Sequence, residues 1–237
     1  MINELNEQSC RLGMKINMKK TKVMFNNIAT AVPVHIGTHE IERVHEYVYL
    51  GQLVTMTNDT SEEIKRRIAA GWSAFSKYRD LLVSKLPMCL KRKLYNQCIL
   101  PAMTYGCQTW ALTKRMEDRL RYTQRAMSRA MIGVTKRDHK TNEWVRLQTG
   151  LQSIVMRVKQ VKWQWAGHVA RINDNRWTKQ VTEWIPIDKK RKRARPKTRW
   201  VDDITKFLGK TWMRSAADRV MWKHHGEAFI QQWIDNS

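Results

Sequence analysis

Apolar and polar positions change rhythm along this chain. Residues 1–13 read as the end of an amphipathic helix, stopped by Gly13. Short strands follow at Lys22–Phe25, Val32–Ile36 and Glu46–Leu50, with Asn26-Asn27 and Gly37 as turn signals. The alternation in Val32-Pro33-Val34-His35-Ile36 points to an exposed edge strand, because Pro33 has no N–H to give to a ladder. From Asn58 onward the spacing becomes helical. Thr60 and Glu63 fit a capping box. Ile64, Ile68, Trp72, Phe75 and Leu82 then recur at helical intervals, while Lys65, Arg66 and Lys77 fall elsewhere on the wheel. A second helix covers about Pro87 to Leu100 and is expected to stop at Pro101.

A third helix runs from Thr113 to Ile132 and ends at Gly133. Arg115, Arg119, Arg121, Arg125 and Arg129 lay a basic stripe along one side of it, and Met116, Leu120, Met127 and Met131 supply the apolar side. Asp138–Thr141 is a polar boundary. Further helices are expected at about 142–149, 153–172, 198–208 and 214–235. In the second of these Ile154, Val158, Val161 and Trp165 form one face, with Arg157, Lys159 and Lys162 off it. The pattern describes an α+β chain dominated by helices, in three parts: 1–57 with the strands, 58–137 helical, and 138–237 helical and basic.

Charge sharpens this picture. Lys and Arg number 44 against 21 Asp and Glu, a net charge of +23, on an ordinary hydrophobic fraction of 42%. A folded chain with this excess repels itself and seeks a polyanion. Nucleic acid is the first candidate and an anionic membrane surface the second. The membrane reading lacks support, since no apolar run approaches the roughly 20 residues of a spanning helix. Met1–Glu7 is polar and acidic, so no signal peptide is expected and the chain is assigned to the nucleus and cytoplasm. The four cysteines, Cys10, Cys89, Cys98 and Cys107, form no CxxC and read as free thiols, with Cys98 in the core.

Several segments carry a family resemblance. Gly13-Met14-Lys15-Ile16-Asn17-Met18-Lys19-Lys20-Thr21-Lys22-Val23-Met24 resembles the segment after the catalytic Asp-Asp turn in the reverse transcriptases of non-LTR (LINE-type) retrotransposons. Val48-Tyr49-Leu50-Gly51 is similar to their primer-grip strand, and Glu63–Ile68 to the entry of the first thumb helix. Leu100-Pro101-Ala102-Met103-Thr104-Tyr105-Gly106 with Thr109-Trp110 resembles an "LPxxxYGxxxW" block. Trp165–Arg171, Asp174–Trp177 and Arg195–Trp200 resemble "WxGHVxR", "DxRW" and "GRPxxRW" blocks, with Ala194 standing where the last usually has Gly. The resemblance implies a palm remnant with its primer grip over 1–57, a thumb over 58–137 and a basic C-terminal region. It implies an RNA-directed DNA polymerase using Mg²⁺ in the intact protein. The catalytic aspartates would lie upstream of Met1, so this chain is expected to be inactive alone and to hold no cofactor. Some relatives carry a C-terminal Cys/His zinc motif; none is visible here.

By the same resemblance Lys20, in "NxxKT", would lie near the incoming nucleotide, where phosphoryl transfer needs a cation. Without metal-binding carboxylates it reads better as a solvated, vestigial lysine. The resemblance makes Tyr47, Tyr49, Leu50 and Gly51 the primer-grip candidates; they read equally as a strand packing Tyr49 and Leu50 before a turn at Gly51. Trp200-Val201-Asp202-Asp203 imitates an aromatic-x-Asp-Asp turn. It is rejected as a metal site because two-metal catalysis needs a third carboxylate, and two acids suit a first helical turn.

The run Lys189, Lys190, Arg191, Lys192, Arg193, Ala194, Arg195, Pro196, Lys197 reads as a phosphate grip, a nuclear import signal or a solvated loop; the first is preferred because Arg115, Arg119, Arg125, Arg129, Arg157 and Lys162 accompany it. Trp177 and Trp200, beside Arg176 and Arg199, are candidates for base stacking. His168 reads as structural. The expected partners are RNA and DNA. The expected function is that of a nucleic-acid-binding C-terminal portion of a retrotransposon reverse transcriptase, or of a degenerate transposon remnant acting as an inert or repurposed binding protein.

Overall fold

The computed structural model describes residues 1–25, 32–57, 59–174, 176–184 and 198–232. It is mostly helical with a few short antiparallel strands, an α+β arrangement, and divides into two compact units, 1–63 and 64–237.

In the first unit, α1 (Ile2–Arg11) ends at Leu12, and Gly13 takes a left-handed φ of 74°. Asn3 Oδ1 accepts from the backbone N–H of Gly37, which tethers this helix to the first hairpin. That hairpin pairs β1 (His35–Ile36) with β2 (His39–Glu40), much shorter than the strand expected from Val32. Only Ile36 and Ile41 are buried there. The segment expected as a strand at Lys22–Phe25 makes one parallel bridge, Val23 to Arg43, held beside an ion pair from Lys22 to Glu42.

A second hairpin joins β3 (Glu46–Tyr49) to β4 (Gln52–Thr55) through Leu50-Gly51. Both turn residues are left-handed, φ 47° and 79°. Such a two-residue turn suits the twist of an antiparallel pair, and a leucine in its first position is strained. The expectation that Tyr49 and Leu50 pack inward is corrected: both are exposed, Tyr49 in the last pair of the ladder, opposite Gln52, and Leu50 in the turn beyond it.

The second unit begins within α2 (Ser61–Lys77) and continues through α3 (Arg79–Val83), α4 (Met88–Leu94) and α5 (Leu100–Thr104). Pro101 does not end the helix before it. The chain widens into a π turn over Tyr95–Ile99, which absorbs the missing amide and the ring, and helix resumes to Thr104. Then come α6 (Lys114–Ile132), α7 (Asn142–Thr149), α8 (Ile154–Ala170), α9 (Trp177–Glu183), α10 (Asp202–Leu208), α11 (Trp212–Ser215) and α12 (Arg219–Gln231). α9 has no counterpart in the sequence reading. The helix expected over 214–235 is two, because Asp218 caps a new start by accepting from Val220 and Met221 N–H.

Two apolar clusters hold this unit. One runs from Ile64 to Val158 and includes Phe75, Tyr95, Met103, Trp110, Leu120 and Met127, all fully buried. Cys107 is buried with it, and burial pushes its thiol up to about 12, far from thiolate chemistry. Cys98, expected in the core, is half-buried. The other cluster gathers Trp163, Ala166, Ile204, Trp212, Ala216, Trp222 and Phe229.

At the centre of the second cluster α8 and α12 meet through a reciprocal pair. Trp163 and Trp222 stack at 4.0 Å with planes 12° apart. Each indole N–H donates to the other residue's carbonyl, at 2.9 and 3.1 Å. Four residues beyond each tryptophan stands a glycine whose missing side chain makes the room. A Cβ on Gly167 would lie 2.3 Å from Trp222 Nε1, and one on Gly226 would lie 2.7 Å from Trp163 Nε1. The "WxGHV" glycine is thus a packing notch.

Candidate nucleic-acid interface

α6 displays the largest described set of arginines. Thr113 begins it and Gly133, at φ 69°, ends it; Lys91 Nζ donates to the Met131 carbonyl at 2.7 Å and so caps its last turn with a cation. Arg115 is exposed; Arg119, Arg125 and Arg129 are half-buried. Arg129 Nη2 reaches the Lys140 carbonyl and Asn142 Oδ1 at 3.2 and 3.0 Å, linking the end of α6 to the start of α7. Thr141 caps α7 by accepting from Trp144 N–H. At its other end Arg92 Nε donates to the Thr149 carbonyl, and Gly150 is left-handed with no space for a Cβ beside that guanidinium. Between α6 and α7 lies a pocket of about 290 Å³ whose walls include Arg121, Arg125, Ser128, Asn142, Glu143 and Arg146. Arg146 escaped the sequence reading because a lone arginine in a short helix gives no stripe.

Other cations point inward. On α8 the buried face includes Lys159 and Lys162, so the face expected from Ile154, Val158, Val161 and Trp165 is rotated toward Trp163, and Trp165 is only half-buried. Lys159 Nζ and Lys162 Nζ donate to opposite oxygens of Asp203, at 2.9 and 2.8 Å. Lys159 also pairs with Glu117 at 3.4 Å, and buried Arg121 approaches Glu117 at 3.6 Å and Asp118 at 3.1 Å. Burial pushes the Lys162 ammonium down from its ordinary value against the pull of Asp203. For Asp203 burial works upward, yet the two ammoniums and their hydrogen bonds outweigh it and hold the carboxyl below the usual range. Lys162 is therefore an internal ion-pair partner and not a surface contact.

The Asp202-Asp203 pair is structurally occupied. Asp202 accepts from Arg199 N–H at 2.7 Å ahead of the α10 helix, and Asp203 serves the two lysines. Among the described residues no group of three His, Cys, Asp or Glu side chains is placed to hold a metal ion. Trp200 is half-buried, its indole N–H donating to the Gln108 carbonyl at 2.6 Å and its ring lying under Lys162 at 5.4 Å. It is committed to the fold, whereas Trp177 stands exposed. Arg176 is exposed and paired with Asp174 at 2.6 Å. Arg157 is half-buried and donates to Gln160, while the Arg199 side chain is exposed. Lys189, Lys190, Arg191, Lys192, Arg193, Arg195 and Lys197 lie outside the described residues.

In the first unit the structure brings two of the expected residues together. The Tyr47 hydroxyl donates to the Lys20 carbonyl at 3.1 Å, and Lys20 N–H donates to Asn17 Oδ1 in a local turn. The Lys20 residue is exposed, as are Tyr49, Leu50 and Gly51.

A transposon-derived protein of Caenorhabditis elegans is 33% identical to this chain over 239 residues, covering 94% of the chain and 86% of that protein. The chain belongs to this family of transposon-derived proteins. No protein-family profile matches it, and no solved structure matches it significantly. No helix among the described residues of this transposon-derived chain is long and apolar enough to cross a membrane.

Proposed function

We propose that this transposon-derived chain is a nucleic-acid-binding portion of a non-LTR retrotransposon reverse transcriptase, with the thumb and the basic C-terminal region as its binding parts. One observation carries the reading: within a chain of net charge +23, one side of α6 holds Arg115 in water with Arg119 and Arg125 half-buried beside it, and Arg125 and Arg146 join the walls of one pocket. Guanidinium groups in such an array recognise phosphate oxygens and release counterions when they do so.

The chain's own role is to hold RNA or DNA. Polymerase chemistry with Mg²⁺ belongs to carboxylates outside it, since Asp202 and Asp203 are already bonded within the fold. The family's description as transposon-derived favours a second reading, a transposon remnant kept as a basic binding protein. Both readings expect binding to a primer–template duplex in a filter or anisotropy assay, weakening steeply with added salt. Both expect no dNTP incorporation, and incorporation by the purified chain would overturn either. The first reading alone expects the affinity to favour a recessed primer–template junction over a blunt duplex of equal length; equal affinity would leave the second.

A further inference from the structure

We propose that the pocket between α6 and α7 is a sugar-reading site, which holds one phosphate of an RNA strand together with the ribose 2′-hydroxyl beside it. The inference rests on the nucleic-acid reading above and gives it a substrate class, RNA in preference to DNA.

The pocket is small, about 290 Å³, near the lower end of the range of small-ligand sites. It suits one nucleotide unit better than a length of backbone. Its walls divide into groups the fold has used and groups it has not. Arg121 is buried and used, by Glu117 and Asp118. The Gln124 amide is used twice, donating to the Gln152 carbonyl and accepting from Ile154 N–H. Asn142 Oδ1 accepts from Arg129, which leaves its amide N–H groups.

Arg125 and Arg146 are different. Among the described residues neither guanidinium meets a carboxylate or a carbonyl; Arg125 has the Tyr122 ring beside it, at 6.0 Å. Two wall hydroxyls are also without a hydrogen-bond partner among the described residues. One is on Ser128, a residue only 5% exposed, and the other on Ser153, which begins α8 without capping it. Guanidinium, hydroxyl and amide donors around one small pocket take an oxyanion, and paired guanidiniums suit phosphate.

A further wall residue selects among phosphates. Glu143, in the first turn of α7, is exposed and has no ion-pair partner among the described residues. The two free guanidiniums against this one carboxylate leave a single positive charge, which matches a phosphodiester better than a doubly charged terminal phosphate. An ionised carboxylate can only accept, so it needs a donor next to the phosphate. Inside a DNA strand the sugar offers none. In RNA the 2′-hydroxyl stands on the carbon next to the one that carries the 3′-phosphate, and acidic side chains accept from it at dinucleotide sites. RNA therefore satisfies both halves of the pocket, and DNA leaves the carboxylate facing an anion.

The test uses the full chain and two fluorescein-labelled strands, rU20 and dU20, whose bases are the same, so that any preference belongs to the sugar. By anisotropy the unaltered chain is expected to bind rU20 about tenfold more tightly than dU20. Glu143→Ala should bring the two within about twofold of each other, with an unchanged near-UV circular dichroism spectrum as the folding control. Arg125→Gln with Arg146→Gln should weaken rU20 binding at least about tenfold. Equal affinities for the two strands, or a preference that survives Glu143→Ala, would overturn the sugar-reading site. Weakening of both strands by Arg115→Gln with Arg119→Gln would in that case keep the broader reading alive. Absence of binding to either strand by the unaltered chain would overturn both. Unlabelled uridine 3′-monophosphate is the third probe. It should fail to displace rU20 at micromolar concentration, and full displacement there would reassign the pocket to a free nucleotide.

Discussion

Lys162 and Arg115 are both cations on helices of one unit, and their situations are opposite. Lys162 is almost wholly buried, 2.8 Å from Asp203, with Lys159 on the other carboxylate oxygen and Glu117 and Arg121 behind. Arg115 faces water. The difference lies in the carboxylates. A cation enters the core only where a partner meets it, an acid for Lys159, Lys162 and Arg121 and the Met131 carbonyl for Lys91, because an unpaired buried charge is far costlier than a paired one. With 44 cations and 21 acids, the acids are too few to meet the cations one for one, and a surface excess of positive charge favours a polyanion.

The sharpest way to break this contrast is to remove the shared acid. Asp203→Ala leaves two buried ammoniums against Glu117 alone and is expected to cost about 3 kcal/mol, read as a lower urea midpoint with unchanged slope. Asp203→Asn should cost less, because it keeps the shape and one acceptor.

A comparable stress on packing, without any charge, tests whether the effect is electrostatic. Gly167→Ala or Gly226→Ala forces a methyl into the facing indole and is expected to cost about 2 kcal/mol. Either substitution should remove the near-UV signal of the Trp163–Trp222 stack. Retention of that signal would mean the notches are not what seats the rings.

Acid titration separates the two kinds of charge further. The Asp203 carboxyl titrates below its ordinary value, so its stabilisation is present above the unfolded carboxylate value and is lost as pH falls through the folded one. Lys162 acts with the opposite sign. Its lowered folded value opposes folding at neutral pH, by a margin that closes as pH rises toward the ordinary lysine value. Against Asp203→Asn, the unaltered chain should therefore lose more stability on acidification. Parallel pH profiles for the two would place the lysines' partner elsewhere.

The smallest effect on stability belongs to the outer face. Arg115→Gln with Arg119→Gln should shift stability by less than about 0.5 kcal/mol, while weakening binding to nucleic acid. Lys162→Gln is expected to do the reverse, destabilising the fold while leaving the affinity of the folded fraction within about twofold, since buried cations make no phosphate contact.

Much of this was legible beforehand, for identifiable reasons. Gly13, Gly133 and the heptad-like apolar spacing of Met116, Leu120, Met127 and Met131 mark α1 and α6 because local rules decide them. Pro101 misled because a π turn upstream, a tertiary accommodation, relieved the clash that normally ends a helix. Lys159 and Lys162 read as polar positions because their acids come from elsewhere: Glu117 is 42 residues before Lys159, and Asp203 is 44 after it. Asp202-Asp203 reads as two acids of a first helical turn, yet its bonds to Arg199 N–H and the two lysines needed the fold. α9 was open to discovery, since Trp177, Val181 and Trp184 recur at helical spacing; at seven residues it is short enough to pass for a loop.

The central claim, that the solvent-accessible arginines of α6 and not the buried cations hold nucleic acid, is tested most directly by the slope of log K against log salt for a labelled duplex. The account predicts a steep linear fall for the unaltered chain, shallower by about 3 when Arg115, Arg119 and Arg125 are all changed to Gln. A flat dependence in the unaltered chain, or the same slope in both, would contradict it.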